Sequence, residues 1–369
     1  MKNRKIILTI LSISLISLTS CDSKLVFKEI KGKVEIHSEH QLLYLEDDNY
    51  NNIGKYAAYS AKEGYANPLP VNLSWSGGKA PYVLSISENE DFSSSLTFET
   101  NNKSFDFYNA KIDTTYYWKV SDKDNVEVSS SFVTNSIAPR NIFVDGVDNM
   151  RDLGGYQLSS GQRIKQGLIY RSGEFNKNNN ASMILNITDT GLDMIDELNI
   201  KTDIDLRRNY EKDSKIETSN ITSSPLGDDV NYVQAPMHYG GENFLDNSDP
   251  LIDAMNKSSI KIVFETIADA NNLPVVFHCV QGKDRTGFIS YLIEGLLGVS
   301  EIDIYRDYLF TNFSSASGSA CKSDDIDNRY GATIQAVEGD NLSQKIYKYL
   351  NETLLISEEV LDAVIDNLK

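Results

Sequence analysis

The residues best suited to chemistry lie in one run of ten, in which five residues separate a cysteine from an arginine. The run reads His278-Cys279-Val280-Gln281-Gly282-Lys283-Asp284-Arg285-Thr286-Gly287. A thiolate at Cys279 is a nucleophile, and the planar guanidinium of Arg285 can donate two parallel hydrogen bonds to phosphoryl oxygens. Thr286 can donate a hydrogen bond to the sulfur, and Lys283 adds a second cation. The pattern therefore indicates attack of sulfur on phosphorus and a cysteinyl-phosphate intermediate.

Two predicted elements must hold this run in place. An apolar strand over residues 274–277 precedes it, and a helix from about Arg285 to Leu297 follows it. Backbone N–H groups of a loop that enters a helix N-terminus bind oxyanions of phosphate size, and they also favour a thiolate. Gly282 allows the loop backbone angles that other residues avoid. The expected phosphate-binding residues are His278, Val280, Gln281, Gly282, Lys283 and Thr286.

The leaving oxygen needs a proton, which a positioned aspartic acid usually supplies. Asp284 lies inside the run, and Asp205 lies near the end of a predicted strand over residues 201–206, where α/β active sites collect their residues. Each has a structural alternative, because Asp284 can pair with a nearby arginine and Asp205 can pair with Arg207. The sequence leaves the choice between the two open, and Asp152 is a weaker third candidate. Arg207 is also expected to contact the substrate.

The ten-residue run resembles the phosphate-binding loop of bacterial atypical, lipoprotein-type tyrosine phosphatases, which belong to the cysteine-dependent phosphatases with this cysteine–arginine spacing. Other motifs lie in the family's order, at residues 149–156, 167–172, 205–208 and 307–308. The resemblance spans about residues 140–369. It implies a hydrolase that needs no cofactor and acts on phosphotyrosine in proteins, with dual specificity as a further property of such enzymes.

The residues alone do not decide between several substrates, and they also leave open a function of another class. Family members usually have a small residue, often alanine, where this chain has Gln281, and a larger amide there bears on substrate preference. Lys283 beside Arg285 suits a substrate with several phosphates, such as a phosphoinositide or an inositol phosphate. The alternative of another class is a surface-anchored binding module with a vestigial phosphate pocket.

The order of predicted elements indicates a multidomain protein. Short alternating strands in residues 66–136 predict a small all-β sandwich, and this stretch resembles a fibronectin type III domain with Trp75 and Trp118 in its core. Its partner is expected to be a protein or a glycan. Strands and helices then alternate over residues 140–369, which predicts an α/β catalytic domain with a central, largely parallel sheet flanked by helices.

The N-terminus predicts export and a lipid anchor. A basic head and a short apolar stretch form a signal peptide over residues 1–20, and Leu-Thr-Ser before Cys21 resembles a bacterial lipobox. Acylation of Cys21 would hold an exported lipoprotein on a periplasmic or cell-surface membrane face. Residues 21–65 then read as a lipidated N-terminus followed by a linker.

The overall charge excludes one class of partner. The chain has 53 acidic and 35 Lys or Arg residues, a net charge of −18. Removing residues 1–20 takes away three positive charges and gives 32 − 53 = −21. Such a chain lacks the basic footprint of a nucleic-acid-binding protein. The four histidines have no metal-ligand spacing beside a third ligand, so no metal is expected.

Overall fold

The structure is a computed structural model that describes residues 24–57, 66–175, 187–208, 210–211, 216–217, 221–238, 244–245, 248–314 and 320–369. Within these ranges one hydrophobic core lies among the N-terminal strands, and a larger one lies in the C-terminal part. Cys21 and the predicted signal peptide, residues 1–20, lie outside the described residues. In the described part of the chain, no helix is both long enough and apolar enough to cross a membrane.

The N-terminal strands form two sheets around a shared core. The strands are β1 (Val26–Phe27), β2 (Lys33–Val34), β3 (Val71–Ser76), β4 (Tyr82–Ser87), β5 (Leu96–Thr100), β6 (Ser104–Phe107), β7 (Thr115–Ser121) and β8 (Glu127–Thr134). One sheet has the order β1-β3-β6, and the other has the order β2-β8-β7-β4-β5. Trp75 and Trp118 are buried in the core between them. Their alternation with polar neighbours, which predicts this burial, follows from the two-residue period of a strand.

Residues 24–57 are packed rather than forming the expected linker. β1 and β2 each join one of the N-terminal sheets. Helix α1 (Glu39–Leu45) lies against the C-terminal part, where the rings of Tyr44 and Phe310 are 5.7 Å apart. Tyr44 and Leu45 belong to the C-terminal core, so their apolar surface is removed from water. The sequence predicts a linker over residues 21–65, whereas the burial of these side chains depends on residues far along the chain.

The C-terminal part is built on a six-stranded sheet with the order β15-β12-β16-β11-β10-β9. Its strands are β9 (Arg140–Asn141), β10 (Arg151–Asp152), β11 (Ile169–Ser172), β12 (Thr202–Asp205), β15 (Asn231–Gln234) and β16 (Val275–His278), and a separate pair is formed by β13 (Tyr210–Glu211) and β14 (Ile216–Glu217). β15, β12, β16 and β11 are parallel, whereas β10 and β9 are antiparallel. Three of the five neighbouring pairs are parallel, so the sheet is mixed, and the predicted α/β organisation is confirmed.

Helices flank this sheet. They are α2 (Asp189–Leu198), α3 (Pro250–Ala268), α4 (Asp284–Leu297), α5 (Glu301–Phe310), α6 (Ser323–Asp325), α7 (Ala332–Gln335), α8 (Leu342–Lys348) and α9 (Glu358–Leu368), with π-helical turns at Ile326–Gly331 and Tyr349–Thr353. α4 is buried on all sides and ends at Gly298, whose φ of +81° suits glycine. The loop between β16 and α4 is therefore fixed at both ends by buried elements.

A buried arginine contacts both parts of the chain. The guanidinium of Arg140 contacts Asp152 at 2.7 Å and donates to the carbonyl of Ala110 at 3.1 Å. Asp152 also accepts from the backbone N–H groups of Gly154 and Gly167, each at 2.7 Å. All of these bonds hold the turn around Asp152 in place.

Candidate active site

The predicted run forms a loop at the carboxyl edge of the parallel strands. His278 ends β16, residues 279–283 form the loop, and Asp284 begins α4. Cys279 is 3% exposed and Arg285 is 6% exposed. Active sites of open α/β sheets lie at this edge, so the topology places the cysteine and the arginine where such a site is expected.

Donors outside the loop hold three of its carbonyl groups. The carbonyl oxygen of Val280 accepts from the backbone N–H of Glu174 at 3.1 Å. The carbonyl oxygens of Gln281 and Gly282 accept from the side-chain amide of Asn149, at 2.9 and 3.1 Å. Arg171 also donates to the Gly282 carbonyl, at 2.7 Å. Three successive carbonyls are thus turned toward the protein around the loop.

This orientation decides where the loop N–H groups point. A trans peptide unit is planar, with its C=O and its N–H on opposite sides. Because the three carbonyls face outward, the N–H groups of Gln281, Gly282 and Lys283 face the interior of the loop. Successive inward N–H groups beside a helix N-terminus form an oxyanion site. The loop is therefore arranged to bind a phosphate-sized anion next to Cys279.

Gly282 is required by both its backbone angle and its surroundings. Its φ is +63°, a conformation that residues with a side chain rarely adopt. A Cβ atom added there would lie 2.5 Å from the carbonyl oxygen of Ser172, at the end of the neighbouring strand β11. The close approach of these two backbone segments lets β11 support the loop.

Arg285 is positioned by backbone carbonyls that follow two other strands. Its Nη1 lies 3.4 Å from the carbonyl oxygens of Leu206, after β12, and of Met237, after β15. Arg285 belongs to the first turn of α4, where the helix dipole also favours an anion. The guanidinium group of Arg285 is therefore held at the same edge of the sheet as Cys279.

His278 supports the loop from a buried position. Its Nε2 lies 3.1 Å from the carboxylate of Asp203, and its Nδ1 lies 3.4 Å from the carbonyl oxygen of Cys279. Burial lowers the pKa of His278, but the carboxylates of Asp205 and Asp203 outweigh it and raise the pKa above its ordinary value. The placement suits the expected role of fixing the loop.

Asp205 and Arg207 are brought next to this loop as an ion pair. Asp205 lies opposite His278 in the β12–β16 register, and its carboxylate contacts Arg207 at 2.7 Å. Arg207 also contacts Glu174 at 3.0 Å, so its buried guanidinium lies between two carboxylates. Burial raises the pKa of Asp205, but Arg207 and His278 more than offset this and hold it well below its usual range. This arrangement disfavours Asp205 as an acid and Arg207 as a substrate contact.

Asp284 has a different environment. Its Oδ1 lies 3.5 Å from Nη1 of Arg329, and 14% of its side chain is exposed. Burial raises the pKa of Asp284, although Lys283, Arg329 and Arg285 act against this shift. A carboxyl group that stays protonated more readily is better suited to donate a proton.

One predicted contact, that of Thr286, is not seen, and Cys321, to which the sequence assigns no role, lies outside the loop. The Thr286 hydroxyl is buried and has no hydrogen-bond partner among the residues that the structure describes, so the expected bond to the Cys279 sulfur is not formed. Cys321 is buried, and burial raises its pKa to about 12. A thiol with so high a pKa is a poor nucleophile at neutral pH.

Sequence reasoning missed the residues that hold the loop from outside. Asn149, Arg171 and Asp307 lie in recognised motifs, but the motifs gave them no role. A partial signal was present, because Arg171 directly follows the apolar run Leu168-Ile169-Tyr170, and the structure shows that it is fully buried. Buried charges are normally paired, so such an arginine points to a specific partner.

The sequence profile of the tyrosine phosphatase family matches residues 142–369. Two curated relatives are a Cupriavidus necator protein provisionally named a tyrosine-protein phosphatase, 29% identical over 189 residues, and a Nostoc commune tyrosine-protein phosphatase, 31% identical over 134 residues. These alignments cover 47% and 33% of this chain. The chain spans 63% and 44% of the relatives' lengths, less than two thirds of either.

Two solved structures are also similar. One is the catalytic core of the PP-IP phosphatase SIW14 of S. cerevisiae, with 17% identity and a TM-score of 0.28, covering 52% of this chain and 88% of that one. The other is P. aeruginosa TpbA, with 16% identity and a TM-score of 0.29, covering 49% of this chain and 87% of that one.

Proposed function

Since this chain belongs to the tyrosine phosphatase family, we propose that it hydrolyses phosphotyrosine in proteins through a cysteinyl-phosphate intermediate. The observation that carries the proposal is the orientation of the loop, whose carbonyls at Val280, Gln281 and Gly282 are held from outside. A nucleophilic sulfur at the base of an anion site can meet the phosphorus of a bound monoester in line.

The first step forms the bond between sulfur and phosphorus. The Cys279 thiolate supplies the electron pair, the bond from phosphorus to the tyrosyl oxygen breaks, and that oxygen leaves with a proton from Asp284. Arg285 and the inward N–H groups stabilise the charge on the transferring phosphoryl group. Water then attacks phosphorus, Asp284 takes a proton from it, and the thiolate leaves as inorganic phosphate forms.

The choice of Asp284 as the acid follows from the two environments. Asp205 is bound by Arg207 and by the hydroxyl of Tyr232, which donates to it at 2.8 Å, so its ionised form is favoured. Asp284 is part of the loop and the first residue of α4. We therefore assign Asp284 the proton transfer and Asp205 the task of holding Arg207.

The same proposal includes the N-terminal parts of the chain. The shared core of the two N-terminal sheets supports a fibronectin III-like sandwich, which would contact a protein or glycan partner. Cys21 after an apolar stretch supports a lipid anchor on the exported protein. Such an anchor would bring the phosphatase domain to substrates at a membrane face.

The experiment that tests this function is an acid quench of the full chain during turnover of a phosphotyrosine peptide. Mass spectrometry should find one phosphoryl group on the peptide that contains Cys279. A parallel panel of phosphoserine peptide, phosphoinositide and inositol phosphate should show slower phosphate release than the phosphotyrosine peptide. Phosphate release without the modified peptide would overturn the mechanism, and faster release from an inositol phosphate would overturn the substrate assignment.

A further inference from the structure

Two buried arginines face each other behind the phosphate-binding loop. Arg151 on β10 lies directly opposite Arg171 on β11, and the two are 2% and 0% exposed. Like charges in directly opposed positions of neighbouring strands destabilise a sheet. An arrangement that breaks this rule in the interior of a protein points to a function that needs it.

One carboxylate serves both guanidinium groups. Asp307 of α5 contacts Nε of Arg151 at 2.9 Å and also pairs with Nη1 of Arg171. Burial raises the pKa of Asp307, but the two arginines outweigh it and hold the pKa below its ordinary value, so the carboxylate is ionised. The Asp307 carboxylate thus bridges the two guanidinium groups.

A second buried acid, Glu294, interacts with the arginine pair. Glu294 of α4 is buried, and its Oε1 has no hydrogen-bond partner within the described residues. Burial, strengthened by Asp307, raises the pKa of Glu294 well above its ordinary value in spite of both arginines. Glu294 is therefore held toward its neutral form, and Asp307 is the carboxylate that is seen to pair with both arginines.

Arg171 places its positive charge directly behind the loop. Its Nη2 donates to the Gly282 carbonyl at 2.7 Å. The N–H on the other side of the same peptide unit belongs to Lys283 and faces the loop interior. A charged donor on the carbonyl polarises the peptide and strengthens the N–H as a donor. Through this peptide the positive charge of Arg171 acts on an anion in the loop.

Asn149 and Arg151 complete the support. Asn149 has a φ of +59°, which asparagine tolerates better than most residues, and its amide reaches the carbonyls of Gln281 and Gly282. Arg151 pairs with the side-chain oxygen of Asn149, which leaves the Asn149 amide nitrogen turned to the loop. Arg151 therefore orients Asn149 and Arg171 donates directly, so the arginine pair acts on two of the three outside donors of the loop.

We propose that Arg171 is a positioning residue of the phosphatase reaction, which aims the Gly282–Lys283 peptide at the phosphoryl group and supplies positive charge behind it. Asp307 orients Arg171 for this task. The inference rests on the proposed function and deepens it, because it assigns part of the phosphate affinity to a side chain that the substrate never touches.

The test compares the full chain with Arg171→Lys and Arg171→Gln variants. Vanadate affinity, the rate of Cys279 alkylation by iodoacetamide at neutral pH, and kcat and KM for a phosphotyrosine peptide are measured. Loss of a charge-assisted hydrogen bond should weaken vanadate binding by about tenfold or more in Arg171→Gln, with slower alkylation and a lower kcat. Arg171→Lys should retain more of each property, and guanidinium added to Arg171→Gln should restore part of the vanadate affinity.

Arg140→Gln is the matched control. Arg140 is also buried and also contacts one carboxylate at 2.7 Å, but it lies at the domain boundary. We expect it to lower thermal stability without changing vanadate affinity or alkylation. Asn149→Ala provides a second probe of the loop if Arg171→Gln fails to fold, and it should also weaken vanadate binding.

Failure of the proposed function and failure of the role of Arg171 give different results in this test. If the unsubstituted protein neither binds vanadate nor shows reactive Cys279, the proposed function itself is overturned. If the unsubstituted protein does both, and folded Arg171 variants do so equally well, only the role of Arg171 is overturned. The same conclusion follows if Arg140→Gln weakens vanadate binding as much as Arg171→Gln does.

Discussion

The side chain of Arg207 binds both carboxylate oxygens of Asp205, two residues earlier in the chain, with N–O distances between 2.7 and 3.1 Å. This ion pair lies beside the phosphate-binding loop, because Asp205 is opposite His278 in the sheet. A carboxylate that accepts several hydrogen bonds and an ion pair is stabilised in its charged form. The ion pair therefore keeps Asp205 in its charged form, and proton transfer is left to another acid.

The first prediction separates the two carboxyl groups. Asp284→Asn should lower kcat by about 10²- to 10⁴-fold for a phosphotyrosine peptide, because the leaving oxygen loses its proton donor. The loss should be smaller for an aryl phosphate whose leaving group is a weaker base and needs no proton. Steady-state kinetics on both substrates measure the difference.

Asp205→Asn is the paired variant for this prediction. It should lower stability, since it leaves Arg207 with less negative charge around it, and its kinetic effect should not depend on the leaving group. A leaving-group dependence in Asp205→Asn, with none in Asp284→Asn, would reverse the assignment.

A second prediction concerns His278 and pH. The carboxylates of Asp205 and Asp203 raise the pKa of His278 in the folded protein, against the effects of burial and of Arg207. The stabilisation is therefore fully present below the unfolded pKa of about 6.5 and is lost as pH rises through the folded value. Asp203→Asn should cost more stability at about pH 6 than at about pH 9. Thermal unfolding at both pH values checks this, and an equal cost would show that the charge of His278 contributes nothing.

The third prediction is a stabilising substitution at Glu294. Burial and the neighbouring Asp307 and Asp303 raise its pKa in the folded state, while Arg171 and Arg151 act in the opposite direction. The folded protein thus keeps a proton that the unfolded chain releases, so stability falls as pH rises above about 4.5. Glu294→Gln removes this penalty and should raise the unfolding free energy by about 1 kcal/mol or more at neutral pH.

Chemical denaturation at acidic and neutral pH measures the effect of Glu294→Gln. The gain should be larger at neutral pH, and an exposed control, Glu265→Gln, should change stability by less than about 0.5 kcal/mol at either pH. Destabilisation by Glu294→Gln at neutral pH would mean that the ionised carboxylate is needed by the two arginines.

The fourth prediction uses two glycines with similar backbone angles. Gly282 and Gly161 both have positive φ, of +63° and +85°, but only at Gly282 would an added Cβ meet backbone, 2.5 Å from Ser172. Gly282→Ala should displace the loop and lower vanadate affinity and kcat by about 100-fold or more. Gly161→Ala should cost about 1 kcal/mol of stability and leave vanadate binding unchanged. Equal vanadate affinities for the two variants would show that the close approach at Gly282 does not shape the site.

The sequence predicts the local parts of this site and fails for its long-range contacts. The loop from Cys279 to Arg285 and the helix after it follow from spacing and periodicity, because one continuous segment contains them. The bond from Asn149 to Gln281 joins residues 132 positions apart, and the pair of Arg151 with Asp307 spans 156. Such contacts depend on how strands and helices are ordered in space, which no local pattern specifies.

The contrast between local and long-range contacts also explains why the sequence could not choose between Asp205 and Asp284, and why residues 24–57 were expected to be a linker. The pairing of Asp205 with Arg207 was one of two alternatives that the sequence raised, since both residues lie at one strand end. The environment of Asp284 depends on Arg329, which comes from a distant π-helical turn. Residues 24–57 read as a linker because the partners that bury them, such as Phe310, lie far along the chain.

The central claim is that Cys279 carries the reaction, and one comparison tests it most directly. Steady-state phosphate release from a phosphotyrosine peptide is measured for the full chain, Cys279→Ser and Cys321→Ser, with a metal chelator present throughout. The unsubstituted protein and Cys321→Ser should turn over at similar rates, whereas Cys279→Ser should be slower by at least about 10³-fold. Turnover that survives in Cys279→Ser, or that the chelator abolishes in the unsubstituted protein, would contradict the account.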